Sequence, residues 1–108
     1  MTPSLQDRIY EVHPEVTFAT LNDEHALTDG KKSPSGRKQR RALLERVWGR
    51  DVARLLDAPH DPRYGHDDLL DAIAACWTAR QILQGKALLS LPEHPPIDSR
   101  GLRMEIMT

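Results

Sequence analysis

The segment from His66 to Gln84 constrains this chain more than any other, because its apolar residues recur at helical spacing and Gly85 supplies the stop. With Asp68 at zero and about 100° per residue, Ala72, Ala75, Ala79 and Leu83 fall within roughly 60° of it, and Asp71 and Ile82 lie close by. Leu69, Leu70, Ile73 and Trp77 fill the adjoining sector. A helix apolar over most of its circumference has to be largely buried, so the rest of the chain must cover it. The alanine stripe predicts close packing against a sheet.

The same segment opens with His66-Asp67-Asp68-Leu69-Leu70-Asp71-Ala72. Aspartates in a first helical turn cap free amides and complement the helix dipole, and that reading fits Asp67 well. Asp68 and Asp71 begin the stripe, where an unpaired carboxylate would be costly. Two carboxylates on one helix face can instead hold a divalent metal. Spacing alone leaves both readings open.

Upstream, Asp7 to His13 alternates Ile9, Glu11 and His13 with Tyr10 and Val12, which predicts a short strand with Glu11 on the side of Ile9. Pro14 has the fixed φ of a first helical position, so Pro14 to Leu21 is expected to be a helix. Asn22 to Gly36 is polar and turn-rich. Ser35 is the expected N-cap of a helix from Gly36 to Trp48, and Arg50 to Leu56 a second short helix burying Val52, Leu55 and Leu56. Ala58 to Gly65 is the next loop. Ala87 to Leu91 and Leu102 to Met107 are further strand candidates around a proline-rich turn. No internal repeat occurs.

A chain of 108 residues makes one domain. Its apolar runs fall short of the ~18 residues of a membrane span, and no signal-peptide core follows Met1. Cys76, the only cysteine, cannot form an intramolecular disulfide. Lying within the apolar pattern, it is expected to be a small buried residue in a reducing, cytoplasmic setting. The net charge of −1 hides a local asymmetry: residues 31–50 carry eight Lys or Arg against Glu45, and residues 57–71 carry five Asp against Arg63.

Lys31, Lys32, Arg37, Lys38, Arg40 and Arg41 place six cations across a loop and the first turns of a helix. Such a cluster suits phosphate contacts. No aromatic residue is interleaved, so the stacking platform of single-strand binders is missing, and backbone contact without sequence readout is the expected mode. The competing reading is an ordinary solvated loop.

Several segments together resemble one family. They are Arg8 to Phe18, Lys31 to Arg37, His66 to Ala72 continuing to Cys76-Trp-Thr-Ala79, and Gly101 to Ile106. In this order they are similar to the C-terminal half of a bacterial and archaeal domain-of-unknown-function family, described as predicted nucleases of RNase H-like fold. The resemblance implies an α/β architecture: a partial RNase H-like fold of about three strands and four helices, lacking the N-terminal three-stranded unit and forming one truncated domain over residues 1–108.

The pattern is also similar to Holliday-junction resolvases of the RuvC type. On that analogy Asp68 and Asp71 match a helical metal-binding pair, Glu11 matches a strand-borne Glu, and Asp67 is a substitute ligand. The implied cofactor is a pair of Mg²⁺ or Mn²⁺ ions about 4 Å apart that activate water and stabilise the leaving oxygen of a phosphodiester. His13 and His66 are auxiliary candidates for orienting water or phosphate. The absent first strand would remove one ligand and expose a sheet edge near Ile9 to Val12. Self-association through that edge or an apolar face is therefore expected. The function implied is a metal-dependent nuclease-like domain, incomplete as an isolated chain. The alternative is a non-catalytic oligomeric binding module derived from a truncated nuclease.

Overall fold

The computed structural model describes residues 2, 4, 11–59, 61–86, 90–91, 97, 99 and 106–107. Four helices carry the architecture: α1 (Pro14–Leu21), α2 (Pro34–Trp48), α3 (Arg50–Asp57) and α4 (His66–Leu83). Two residues in each of β1 (Ser90–Leu91) and β2 (Ile106–Met107) pair antiparallel, Ser90 opposite Met107 and Leu91 opposite Ile106.

Local chemistry explains the helix boundaries. Pro14 occupies the first turn of α1, and the His13 carbonyl accepts from the amides of Val16 and Thr17 at 3.0 and 3.1 Å. The N-cap of α2 is Ser33 and not the expected Ser35: its Oγ accepts from the Gly36 amide at 3.0 Å, and Pro34 follows directly inside the helix. Between α2 and α3 the chain turns at Gly49, whose φ of +65° favours glycine, and the Gly49 amide donates to the Glu45 carbonyl at 2.8 Å. Helix α4 ends one residue before the expected Gln84, ahead of Gly85 with φ +66°.

The core among the described residues is built from these four helices. Phe18 of α1, Leu43 and Leu44 of α2, Val52 and Leu56 of α3, and Leu70, Ile73 and Ala74 of α4 form one buried cluster. Helix α4 packs against α1 and α2, and α2 also contacts α1 and α3. Each fully buried Leu or Phe contributes about 1.5–3 kcal/mol relative to exposure. At the α1–α4 contact the hydroxyls of Thr17 and Thr78, both fully buried, share a hydrogen bond of 2.9 Å.

This arrangement overturns the expected α/β fold with about three strands. The buried cluster is filled by helix residues alone, and the sheet among the described residues is the two-residue ladder. Of the expected strand at 7–13, residues 7–10 lie outside the described residues, and the described end holds an isolated bridge position at Val12. Residues 87–89 and 102–105 of the other two strand candidates also lie outside them.

The orientation of α4 is a second correction. Its buried residues are Leu70, Ile73, Ala74 and Thr78, whereas Asp68, Ala72, Cys76 and Ala79 are exposed and Leu83 is 88% exposed. The larger side chains take the core because they bury more apolar area, and the stripe of small residues, apart from the half-buried Ala75, faces solvent. Cys76, expected to be buried, lies on that exposed side. Leu55 is likewise half exposed, since Val52 and Leu56 supply the inward face of α3. No helix among the described residues is long and apolar enough to cross a membrane.

The paired hydroxyls give a test of this packing. Thr17→Val is expected to cost about 1–2 kcal/mol, because it leaves the buried Thr78 hydroxyl without its partner, and Thr78→Val less, because the Thr17 hydroxyl can still donate to the His13 carbonyl at 3.5 Å. The double variant is expected to cost clearly less than the sum of the two, as read from urea denaturation midpoints.

Candidate nucleic-acid interface

The turn leading into α2 is tightly built. Ser33 Oγ donates to the Gly30 carbonyl at 2.7 Å and accepts from the Gly36 amide, while the Ser33 amide also donates to Gly30 at 3.0 Å. A Cβ at Gly36 would collide with the Gly30 carbonyl, so this close approach requires glycine. The turn fixes where Lys31 and Lys32 emerge and where Arg37 and Lys38 begin the helix.

Both lysines reach the start of α4. Lys31 Nζ lies 3.1 Å from Asp71 Oδ2, and Lys32 Nζ lies 3.5 Å from Asp67 Oδ2. Asp71 raises the pKa of Lys31 above its ordinary value by hydrogen bond and by charge. Burial opposes ionisation of Asp67, but its own backbone amide and the charges of Lys32 and Lys31 outweigh it, so its pKa lies below the ordinary value. Asp68 turns elsewhere: its Oδ2 accepts from the Gly65 amide at 3.0 Å, closing the first turn of α4.

The structure therefore brings Asp67 and Asp71 to the basic loop and leaves Asp68 on the exposed side as a cap. Glu11 and His13 are exposed ahead of α1, and His66 is the exposed first residue of α4. Among the described residues no three His, Cys, Asp or Glu side chains form a group that could hold a metal ion. Ammonium groups face Asp71 and Asp67 and an amide faces Asp68.

Arg40 has a different role from the backbone contact expected of it. Its side chain is 3% exposed. Nε and Nη2 donate to the two Glu15 oxygens at 3.1 and 2.5 Å, and Nη1 donates to the Asp29 and Gly36 carbonyls at 3.0 and 2.9 Å. The guanidinium also sits 5.8 Å from the centre of the Phe18 ring. Arg41 is held as well, by Glu45 at 2.7 Å and by both Asp57 oxygens at 2.7 and 3.0 Å. These contacts raise the Arg41 pKa and lower that of Asp57.

Arg37 and Lys38 remain. Both are exposed and have no carboxylate partner among the described residues. They edge an open cleft of about 320 Å³ together with Pro34, Arg41 and His66, and the buried Leu56 and Leu70 also line it. The cleft was not foreseen because its lining comes from three helices with no shared spacing. Glu15, the partner of Arg40, lies 25 positions away, and no linear signal links residues so far apart.

Residues 1–97 match the family described as "Protein of unknown function (DUF429)". The chain belongs to this family. All of the acidic and basic residues described above lie within the matched span. No curated protein and no solved structure matches the chain.

Within this DUF429 chain the Arg40 network makes a graded prediction. Arg40→Ala is expected to cost about 2–4 kcal/mol, since it removes a buried charge and its four donated hydrogen bonds, whereas Arg37→Ala should stay within about 0.5 kcal/mol. The Arg40 hydrogen bond is the main cause of a lowered Glu15 pKa, against a smaller opposing effect of burial. The pair therefore stabilises fully above the ordinary Glu range, and that stability is lost as pH falls through the depressed folded value. Denaturant titrations across this acid window should show a shallower pH slope for Arg40→Ala than for the parent chain.

Proposed function

We propose that this chain is a nucleic-acid-binding domain that grips the sugar-phosphate backbone. The supporting observation is the sorting of charge around α2. Lys31, Lys32, Arg40 and Arg41 are taken up by carboxylates, and Arg37 and Lys38 are left exposed and unpaired among the described residues. Cations free of intramolecular partners are the ones that can neutralise phosphates and release counterions. Lys31 and Lys32 are 41% and 79% exposed, so both can still extend the surface. The lack of aromatic side chains among these cations supports binding without sequence readout.

A second reading, metal-dependent phosphodiester hydrolysis, draws support from the resemblance to predicted nucleases and from Asp67 and Asp71 lying on the same side of α4. The described acids fall short of the ligand set that this chemistry uses, so the binding reading is the stronger. Self-association belongs to the same proposal, through the exposed side of α4 that carries Ala72, Cys76, Ala79 and Leu83.

Binding of duplex and single-stranded oligonucleotides, followed by fluorescence anisotropy over a salt series, tests the main reading. Arg37→Ala with Lys38→Ala should weaken binding to all sequences alike and flatten the log–log salt slope by about 2. Absence of binding at low salt would remove the proposal. Cleavage in Mn²⁺ that disappears in Asp67→Asn with Asp71→Asn would establish the catalytic reading in its place. Sedimentation velocity decides self-association: the chain is expected as a dimer or larger, and a monomer at high concentration contradicts it.

A further inference from the structure

The cleft beside Arg37 and Lys38 has two chemically distinct sides. Leu56 and Leu70, each 2% exposed, and Pro34 give it apolar lining, while Arg37 and Lys38 stand at its edge. Arg41 also lines it, but Asp57 and Glu45 hold its guanidinium and offset its charge. Among the described residues the cleft charge that meets no carboxylate therefore belongs to Arg37 and Lys38. The start of α2 adds little to it, because Ser33 already satisfies the Gly36 and Arg37 amides.

We propose that this cleft receives one unpaired nucleotide, with its phosphate on Arg37 and Lys38 and its base against Pro34 over the floor that Leu56 and Leu70 form. The inference rests on the backbone-binding reading in taking those two cations as phosphate contacts, and it adds the kind of nucleotide bound. At about 320 Å³ the cleft lies near the lower end of the volumes typical of small-molecule sites. That space suits one base with its sugar and is too small for a base pair with two backbones. Leu56, Leu70 and Pro34 offer no hydrogen-bonding pattern to a base edge, and His66 and Arg41 are the lining side chains that could favour one base over another. A phosphate held at the edge brings its own base to the apolar lining without further binding groups.

The shared chemistry is a base joined to a phosphate, and its source can be a free nucleotide or an unpaired position in a strand. Methyl-labelled leucine spectra of the full chain separate these cases. The probes are a deoxynucleoside 5′-monophosphate, inorganic phosphate, a short single strand and a blunt duplex. The mononucleotide and the single strand should shift the Leu56 and Leu70 methyl signals, and inorganic phosphate should not. Arg37→Ala with Lys38→Ala, both exposed and outside the core, should weaken mononucleotide binding about tenfold or more.

Oligonucleotide binding that leaves both methyl signals unmoved would preserve the backbone reading and end the cleft assignment. Methyl shifts with the mononucleotide, and no binding of any oligonucleotide, would assign the cleft to free nucleotides and overturn the backbone reading. No response to any probe would overturn both.

Discussion

The buried guanidinium of Arg40 is the interaction on which the rest of the arrangement depends. It joins α1 through Glu15, the turn before α2 through Asp29, and α2 itself through Gly36. A guanidinium this deeply buried is tolerated because its charge is paired and its donors are directed at acceptors. Phe18 beside it belongs to the central apolar cluster, so the same side chain links the polar turn to the core. The turn that Arg40 secures is also the one from which Lys31 and Lys32 reach α4. The ion pairs with Asp71 and Asp67 are thus a consequence of that anchoring.

This hierarchy divides residues that look alike in the sequence. Six cations within eleven residues read as one basic patch, yet they perform at least three tasks. Arg40 holds the fold, and Arg41 clamps the end of α3 through Asp57. Lys31 and Lys32 neutralise acids at the start of α4, and Arg37 and Lys38 face solvent beside the cleft. The acids divide in the same way: Asp68 caps its helix while Asp67 and Asp71 meet lysines. Charge counting along the chain captures the total and misses these assignments, because each depends on which groups the folded backbone brings within a few ångströms.

Much of the helical layout was legible in the sequence, for a physical reason. Helix boundaries are set by local chemistry, so Pro14, Gly49 and Gly85 mark ends that the structure retains. The cap of α2 is Ser33 and not the expected Ser35 because proline favours the first helical position, which makes the serine before Pro34 the cap. The face of α4 was not legible. Its sequence has one sector of small residues and one of large residues, and periodicity alone cannot say which turns inward. Burial of Leu70 and Ile73 outweighs burial of alanines, so the stripe that suggested a sheet faces water. The Lys31–Asp71 pair spans 40 residues and the Arg40–Glu15 pair 25, distances over which local sequence carries no signal.

The cations at the start of α2 sharpen the functional argument. Helix N-termini favour acids, yet the first turn of α2 contains none, and Arg37 and Lys38 follow it directly. Placing positive charge there opposes the helix dipole, at a cost of a few tenths to about 1 kcal/mol each. A chain selected only for helix stability would gain by exchanging them for Asp or Glu. Neither residue recovers the cost through an ion pair among the described residues. An external anion would offset it, since one phosphate placed between the two side chains would screen their mutual repulsion and their conflict with the helix end. The unfavourable placement in the free chain therefore supports the proposed phosphate contact.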